Sequence, residues 1–236
     1  MSMLVQVSAE VLRIAYAFQA NMRFGTIESE RLWSVAAYVL AVPNTEAGGI
    51  NVFSTDGTAI CVQRDPTGTA TGPCLIIEIG AIKPHLSDQQ INRRYVVAKE
   101  DSIRVIEDCG QADVLCEVKG QTVLRKADVH QNAGPTNPLA LPDWPSVLAR
   151  IIDGGDWAAL DSMPVRHMAI LGGLWDTWPD ARTVELARDC KQGYTLAMFP
   201  FRPKLMVMIA DKRHPEFDIL AGAHEVLEPE DPAAGL

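Results

Sequence analysis

The sequence lacks the pairings that would mark a metal site or a disulfide framework. Its five cysteines, Cys61, Cys74, Cys109, Cys116 and Cys190, are odd in number and scattered, with no Cys-x-x-Cys and no Cys/His spacing of the zinc kind. Cys61 and Cys74 stand in apolar, strand-like runs where cysteine behaves as a small hydrophobe, so the set is expected to be reduced and mostly buried, and the protein cytoplasmic. Long apolar runs are missing too. No stretch approaches the roughly 18 residues a membrane span needs, and the N-terminal MSMLVQVSAEVLRIAYAF carries no basic region ahead of a long apolar core, so no membrane partner is expected. HExxH, GxSxG, GxGxxG and the phosphate-binding GxxxxGK(S/T) are all absent, and the histidines lie far apart. Asp153 with Asp156, and Asp176 with Asp180, read as solvated turns rather than cation sites. No residue takes a catalytic role, the protein is expected not to be an enzyme, and neither cofactor nor metal is expected.

What is present is an ordinary globular balance: 236 residues, 47% hydrophobic and 22% charged, enough to bury a core without staples. A formal net charge of −9 argues against nonspecific adhesion to nucleic acid over most of the surface while leaving room for a local basic strip.

The organising stretch is Ile50 to Val62, INVFSTDGTAICV. Two extended runs flank Asp56-Gly57, a pair that tolerates the positive φ of a tight I′ turn, and this predicts a β-hairpin. Upstream, 3–7 alternates like a strand, Ser8 stands at a helix N-cap, and the spacing of Val11, Leu12, Ala15, Tyr16 and Phe18 predicts a helix over 8–19. Residues 32–42 read as a strand. Downstream come a buried strand over 74–79, a short helix over 80–86, and short strands at 94–98, 103–107, 114–118 and 122–126. Connections this short exclude crossovers, so the order predicts an α+β fold with antiparallel sheets and short helices packed on one face. Three prolines within 131–142 suggest a linker between a domain at 1–130 and a second at 143–236. There 163–174 has helical spacing, 183–187, 194–199 and 205–209 read as strands, and 228–236 forms a loose acidic tail.

Three segments in this order resemble a known family. The hairpin Ser54-Thr55-Asp56-Gly57-Thr58-Ala59-Ile60-Cys61-Val62, the run Leu141-Pro142-Asp143-Trp144-Pro145-Ser146-Val147-Leu148, and Ala197-Met198-Phe199-Pro200-Phe201-Arg202 are similar to stretches of the bacterial DNA polymerase III beta subunit, the sliding clamp. The sequence departs from that pattern at Thr58-Ala59, where the family has His-Arg, and at Pro145-Ser146, where it has Arg-Arg. The interval between the last two motifs is too short for a full clamp domain, so the resemblance implies one full clamp domain plus a partial second, from a divergent, truncated relative of phage or mobile-element origin.

The resemblance implies a non-enzymatic DNA-clamp-like protein and two surfaces. Duplex DNA would be held through its phosphates by Arg13, Arg23, Lys83, Arg93, Arg94 and Arg166, the alternative being ordinary solvated helix faces. Peptide motifs of replication or repair proteins would dock in a groove walled by Thr55, Gly57, Ala59, Ile60, Val147, Leu148, Ala149, Met198, Phe199, Pro200, Phe201 and Arg202, the alternative being that these residues pack a domain junction. Such domains join edge to edge, which implies a homo-oligomer acting as a ring, or else a decoy for clamp partners. A clamp-fold assembly module that no longer encircles DNA is the second reading.

Overall fold

The structure, a computed structural model, describes residues 4–20, 39–55, 59–76, 79–86, 91–108, 112–120, 123–125, 144–159, 168, 171–172, 183–191, 193–200 and 202–210. Strand β1 (Val5–Ser8) leads straight into helix α1 (Ala9–Ala20), followed by β2 (Val39–Pro43), β3 (Ile50–Thr55) and β4 (Ala59–Asp65). After the short β5 (Thr69–Ala70) the pattern repeats: β6 (Cys74–Ile76), α2 (Ile79–Leu86), a 3-10 turn (Ile91–Arg93), then β7 (Arg94–Ala98), β8 (Ser102–Asp108) and β9 (Ala112–Lys119). The two repeats interlock. β1 pairs with β7 and β6 pairs with β2, so each leading strand completes the other repeat's sheet, and every pairing is antiparallel.

Between the two sheets lies the main core. Val11, Leu12 and Ala15 of α1 pack among Val39, Ala41, Ile50 and Val52 from one sheet and Val96, Ile103 and Val105 from the other, joined by Ile79, Ile82 and Leu86 of α2. Each buried branched aliphatic contributes roughly 1.5–3 kcal/mol. The apolar spacing of α1 thus faces inward on both sides, and among its described side chains the outer stripe is Glu10, Arg13, Tyr16 and Ala17.

The second half adds β10 (Val123–Arg125), α3 (Trp144–Gly154), β11 (Trp157–Ala159), β12 (Glu185–Asp189), β13 (Tyr194–Met198) and β14 (Leu205–Ala210). β14 pairs with β4, so one sheet of nine strands runs β10-β6-β2-β3-β4-β14-β13-β12-β11 through both halves. The expected linker at 131–142 lies outside the described residues.

Several expectations change. The 50–62 hairpin is present, but Thr55 stands opposite Ile60, which leaves four residues between the last paired positions instead of the two of a tight I′ turn. Thr55 Oγ1 donates to the Ala59 carbonyl at 2.7 Å within that loop. The helices do not share one face. α1 and α2 pack on one side of the large sheet, whereas α3 packs on the other with Leu40, Phe53, Ile60, Tyr194 and Met208. Only the 39–42 end of the expected 32–42 strand, and three residues of the expected 163–174 helix, fall within the described residues; among them Leu171 packs on the α1 side. One glycine is obligatory: at Gly49, φ is +76°, and a Cβ would meet the Asp65 carbonyl oxygen at 2.2 Å.

Candidate functional site

Alternation along β4 divides the molecule. Ala59 and Cys61 point to the α1 side, among Ile14, Phe199, Leu205, Val207 and Ile209. Ile60 and Val62 point to the α3 side, and by the same period so does Arg64. The sheet register then lines side chains up across the strands on that face: Leu40 beside Phe53, Phe53 beside Val62, Val62 beside Met206, Met206 beside Met198, Met198 beside Glu185. At about 4.8 Å per strand, Val62 to Met198 spans about 10 Å and the whole row about 24 Å. Leu40 and Phe53 are buried at one end, and Val62, Met206 and Met198 are half-buried. The row crosses the β4–β14 seam that joins the two halves.

Helix α3 flanks this row. Pro145 sits in its first turn, where the missing N–H costs nothing, and Leu148, Ile151 and Ile152 recur at helical spacing. Leu148 and Ile151 are buried over the neighbouring row Ile60, Met208 and Leu196, while Ile152 stays partly exposed. Trp157 Nε1 donates to the Ile152 carbonyl at 2.9 Å, taking up one of the carbonyls a helix end leaves unsatisfied. The result is a strip of partly exposed aliphatic and methionine side chains beside a short helix, on a rigid sheet. Such a surface suits apolar side chains of an extended peptide, and methionine adapts to differently shaped ones.

The residues expected to wall one groove are divided by the structure. Thr55 and Ile60 are buried, Ala59 and Phe199 are buried on the opposite face, and Leu148 is buried under α3. Ala149 and Pro200 are exposed, Met198 belongs to the row, and Gly57, Phe201 and the Val147 side chain lie outside the described residues. Nor do the described flanks of the two turns meet. β14 runs antiparallel to β4, so the 199–204 turn sits at the Arg64 end, where Arg64 N–H donates to the Lys204 carbonyl at 2.9 Å. Thr55 and Ala59, the described residues on either side of Asp56-Gly57, sit at the Ile209 end. Five residues of strand, about 17 Å, separate them. Arg202 instead pairs with Glu10 in the first turn of α1. Beside that contact the buried Asp65, 1% exposed, accepts from Ser8 N–H at 2.6 Å and from Thr67 N–H and Oγ1 at 3.0 and 2.8 Å. It thereby ties the end of β4 to the β1–α1 junction. Val62, Met206, Met208 and Leu196 were not foreseen, although the alternation of Leu205–Ala210 marks two of them as one face of a strand.

Among the expected DNA-facing cations, Arg94 is buried and Nη1 donates to the His85 carbonyl at 3.0 Å, at the end of α2. It supports a helix terminus rather than facing outward. Lys83 and Arg93 are exposed and Arg13 is half-buried, on three elements packed together at α1, with Lys83 Nζ 5.6 Å from the centre of the Tyr16 ring. Arg23 and Arg166 lie outside the described residues. Among the described residues no group of three His, Cys, Asp or Glu side chains could hold a metal ion, and no helix is long and apolar enough to cross a membrane.

No family model and no curated protein matches the sequence. Solved structures do match. The chain is similar to the DnaN sliding clamp, DNA polymerase III subunit beta, of Bartonella birtlesii bound to griselimycin, with a TM-score of 0.52 at 10% identity, covering 89% of this chain and 66% of the clamp. It is also similar to the DNA polymerase III subunit beta of Borrelia burgdorferi in complex with a natural product, at 0.50 and 9%, covering 87% and 61%. The chain therefore spans just under two thirds of the clamps it matches, and at these identities the likeness establishes the clamp fold.

Proposed function

We propose that the protein is a non-enzymatic, sliding-clamp-like module that captures short apolar peptide segments of replication or repair proteins on the α3 face of its large sheet. The observation that carries this reading is the row Val62, Met206 and Met198 across the β4–β14 seam, half-open to solvent and flanked by α3. The open part of the row, Val62 to Met198, spans about 10 Å and accommodates some three residues of extended chain. That the Bartonella clamp is bound to griselimycin supplies a probe. Isothermal titration of griselimycin is expected to give a saturable heat that Met206→Glu weakens at least ten-fold. Equal binding by both proteins, or none by either, would remove this reading.

A second reading, contact with duplex DNA, draws support from Arg13, Lys83 and Arg93 around α1, whose only carboxylate, Glu10, is paired by Arg202. The three phosphate contacts that these described residues offer correspond to a salt slope of binding of about −2.7. Among the described residues the sheets end at β5, β9, β10 and β11; β9 is the longest of these edges for homo-oligomer formation by strand addition, and there a register shift opposite Val105/Ile106 and the charged Asp113, Glu117 and Lys119 work against it. Light scattering on the eluting protein tests it, and on the peptide-capturing reading a monomer suffices.

A further inference from the structure

The large sheet ends its last described strand at Ala210, whose side chain belongs to the same apolar cluster as Ile60, Leu148, Tyr194 and Met208. The chain therefore continues from the rim of the α3-face strip. The 26 residues from Asp211 to Leu236 follow, outside the described residues. Their first large apolar side chains are Phe217, Ile219 and Leu220, in the run Glu216-Phe217-Asp218-Ile219-Leu220. From Ala210 back to Met206 is four residues of strand, about 13 Å. From Ala210 to Phe217 the chain can extend up to about 23 Å. The reach exceeds the distance by about 10 Å, which is the length available for the chain to pass α3, whose Leu148 and Ile151 cover the Met208 row lying between.

We infer that the protein's own segment 216–220 is the resident occupant of the strip, with Phe217, Ile219 and Leu220 against Val62, Met206 and Met198, and that an outside peptide has to displace it. This rests on the peptide-capturing reading above and supplies its regulation. A tether of about six residues holds the segment at an effective concentration in the millimolar range. If the free segment binds at about 100 μM, the strip is occupied about ten to one, and any competitor binds about ten-fold more weakly than its intrinsic affinity. Residues 211–236 carry seven carboxylates against two basic side chains, so Phe217, Ile219 and Leu220 stand as an apolar group within an acidic sequence.

The test uses the full chain carrying Phe217→Ser, Ile219→Ser and Leu220→Ser, changes that touch no described residue. A fluorescein-labelled synthetic peptide covering residues 214–224 is titrated, by fluorescence polarisation, into this variant and into the unaltered chain. The expected result is binding at least ten-fold tighter to the tail variant, lost when Val62→Glu is added while circular dichroism stays unchanged. Equal affinity for the two chains, or binding indifferent to Val62→Glu, overturns the inference. Griselimycin separates the two levels of failure. If it binds both chains equally and through Val62, the strip is real and its self-occupation is not; if neither probe binds either chain, the strip itself fails and the inference with it.

Discussion

β4 and β9 hold the same place in the two interlocked repeats, each the last strand after its helix, yet their outer edges have opposite fates. The outer edge of β4 is covered by β14, and its residues Ala59, Ile60 and Cys61 are buried on both faces of the sheet. β9 ends its sheet among the described residues, with Val114 52% exposed, charged residues along the strand and a bulge in its pairing. A strand that expects a neighbour is apolar on both faces; one that must stay single is twisted and charged. The proposed strip belongs to the first kind of edge, because only a seam between two strand sets produces a continuous row of side chains from both.

The largest expected effect sharpens that contrast. Val207→Asp places a carboxylate without a partner in the seam, where Val207 is fully buried between β4 and β13, and is expected to cost about 4 kcal/mol or more and to abolish cooperative folding. Val114→Asp on β9 is expected to change stability by less than about 0.5 kcal/mol. Thermal unfolding followed by circular dichroism measures both, and similar losses would erase the distinction. Next is Asp65→Ala, which deletes three hydrogen bonds from a buried carboxylate and leaves the Ser8 N–H stranded at the β1–α1 junction. About 3 kcal/mol is expected from denaturant unfolding.

How far the sequence revealed these features depends on which force decided them. The hairpin at 50–62 and the boundaries of β7 were legible because local alternation and turn chemistry set them. Arg94 was misread although its own strand gave it away: in Arg94–Ala98, Arg94 shares a face with the buried Val96 and Ala98. Helix α3 went unassigned despite Pro145 at its start and the Leu148, Ile151, Ile152 spacing. Its face became evident only once the β4–β14 pairing had placed Ile60 and Met208 beneath it. The residues expected to wall a groove are dispersed for a related reason. The strand over 205–209 was legible from its alternation, but its pairing with β4, which sets Met206 beside Val62 and Met208 beside Ile60, is long-range and leaves no local mark.

Smaller effects follow from the same seam. Burial pushes the Cys61 thiol up to about 12, so the fold favours its neutral form. That contribution stands in full below about pH 9 and is lost as pH rises from there through about 12. Cys61 is therefore expected to resist alkylation at pH 8 until denaturant is added, whereas the exposed Cys190 reacts at once; mass spectrometry of the labelled peptides reads both. The smallest effect belongs to the bare edge: Arg104→Ala, which removes the 2.7 Å pair with Glu117 across β8 and β9, is expected to cost no more than about 0.5 kcal/mol, since both side chains are about a third exposed.

The most direct test of the strip is hydrogen exchange of the chain with and without saturating griselimycin. Slower exchange is expected in 59–65, 144–154 and 205–210, with no change in α1, α2 or β9. Protection confined to the α1–α2 face or to β9, with the seam unaltered, would contradict the account.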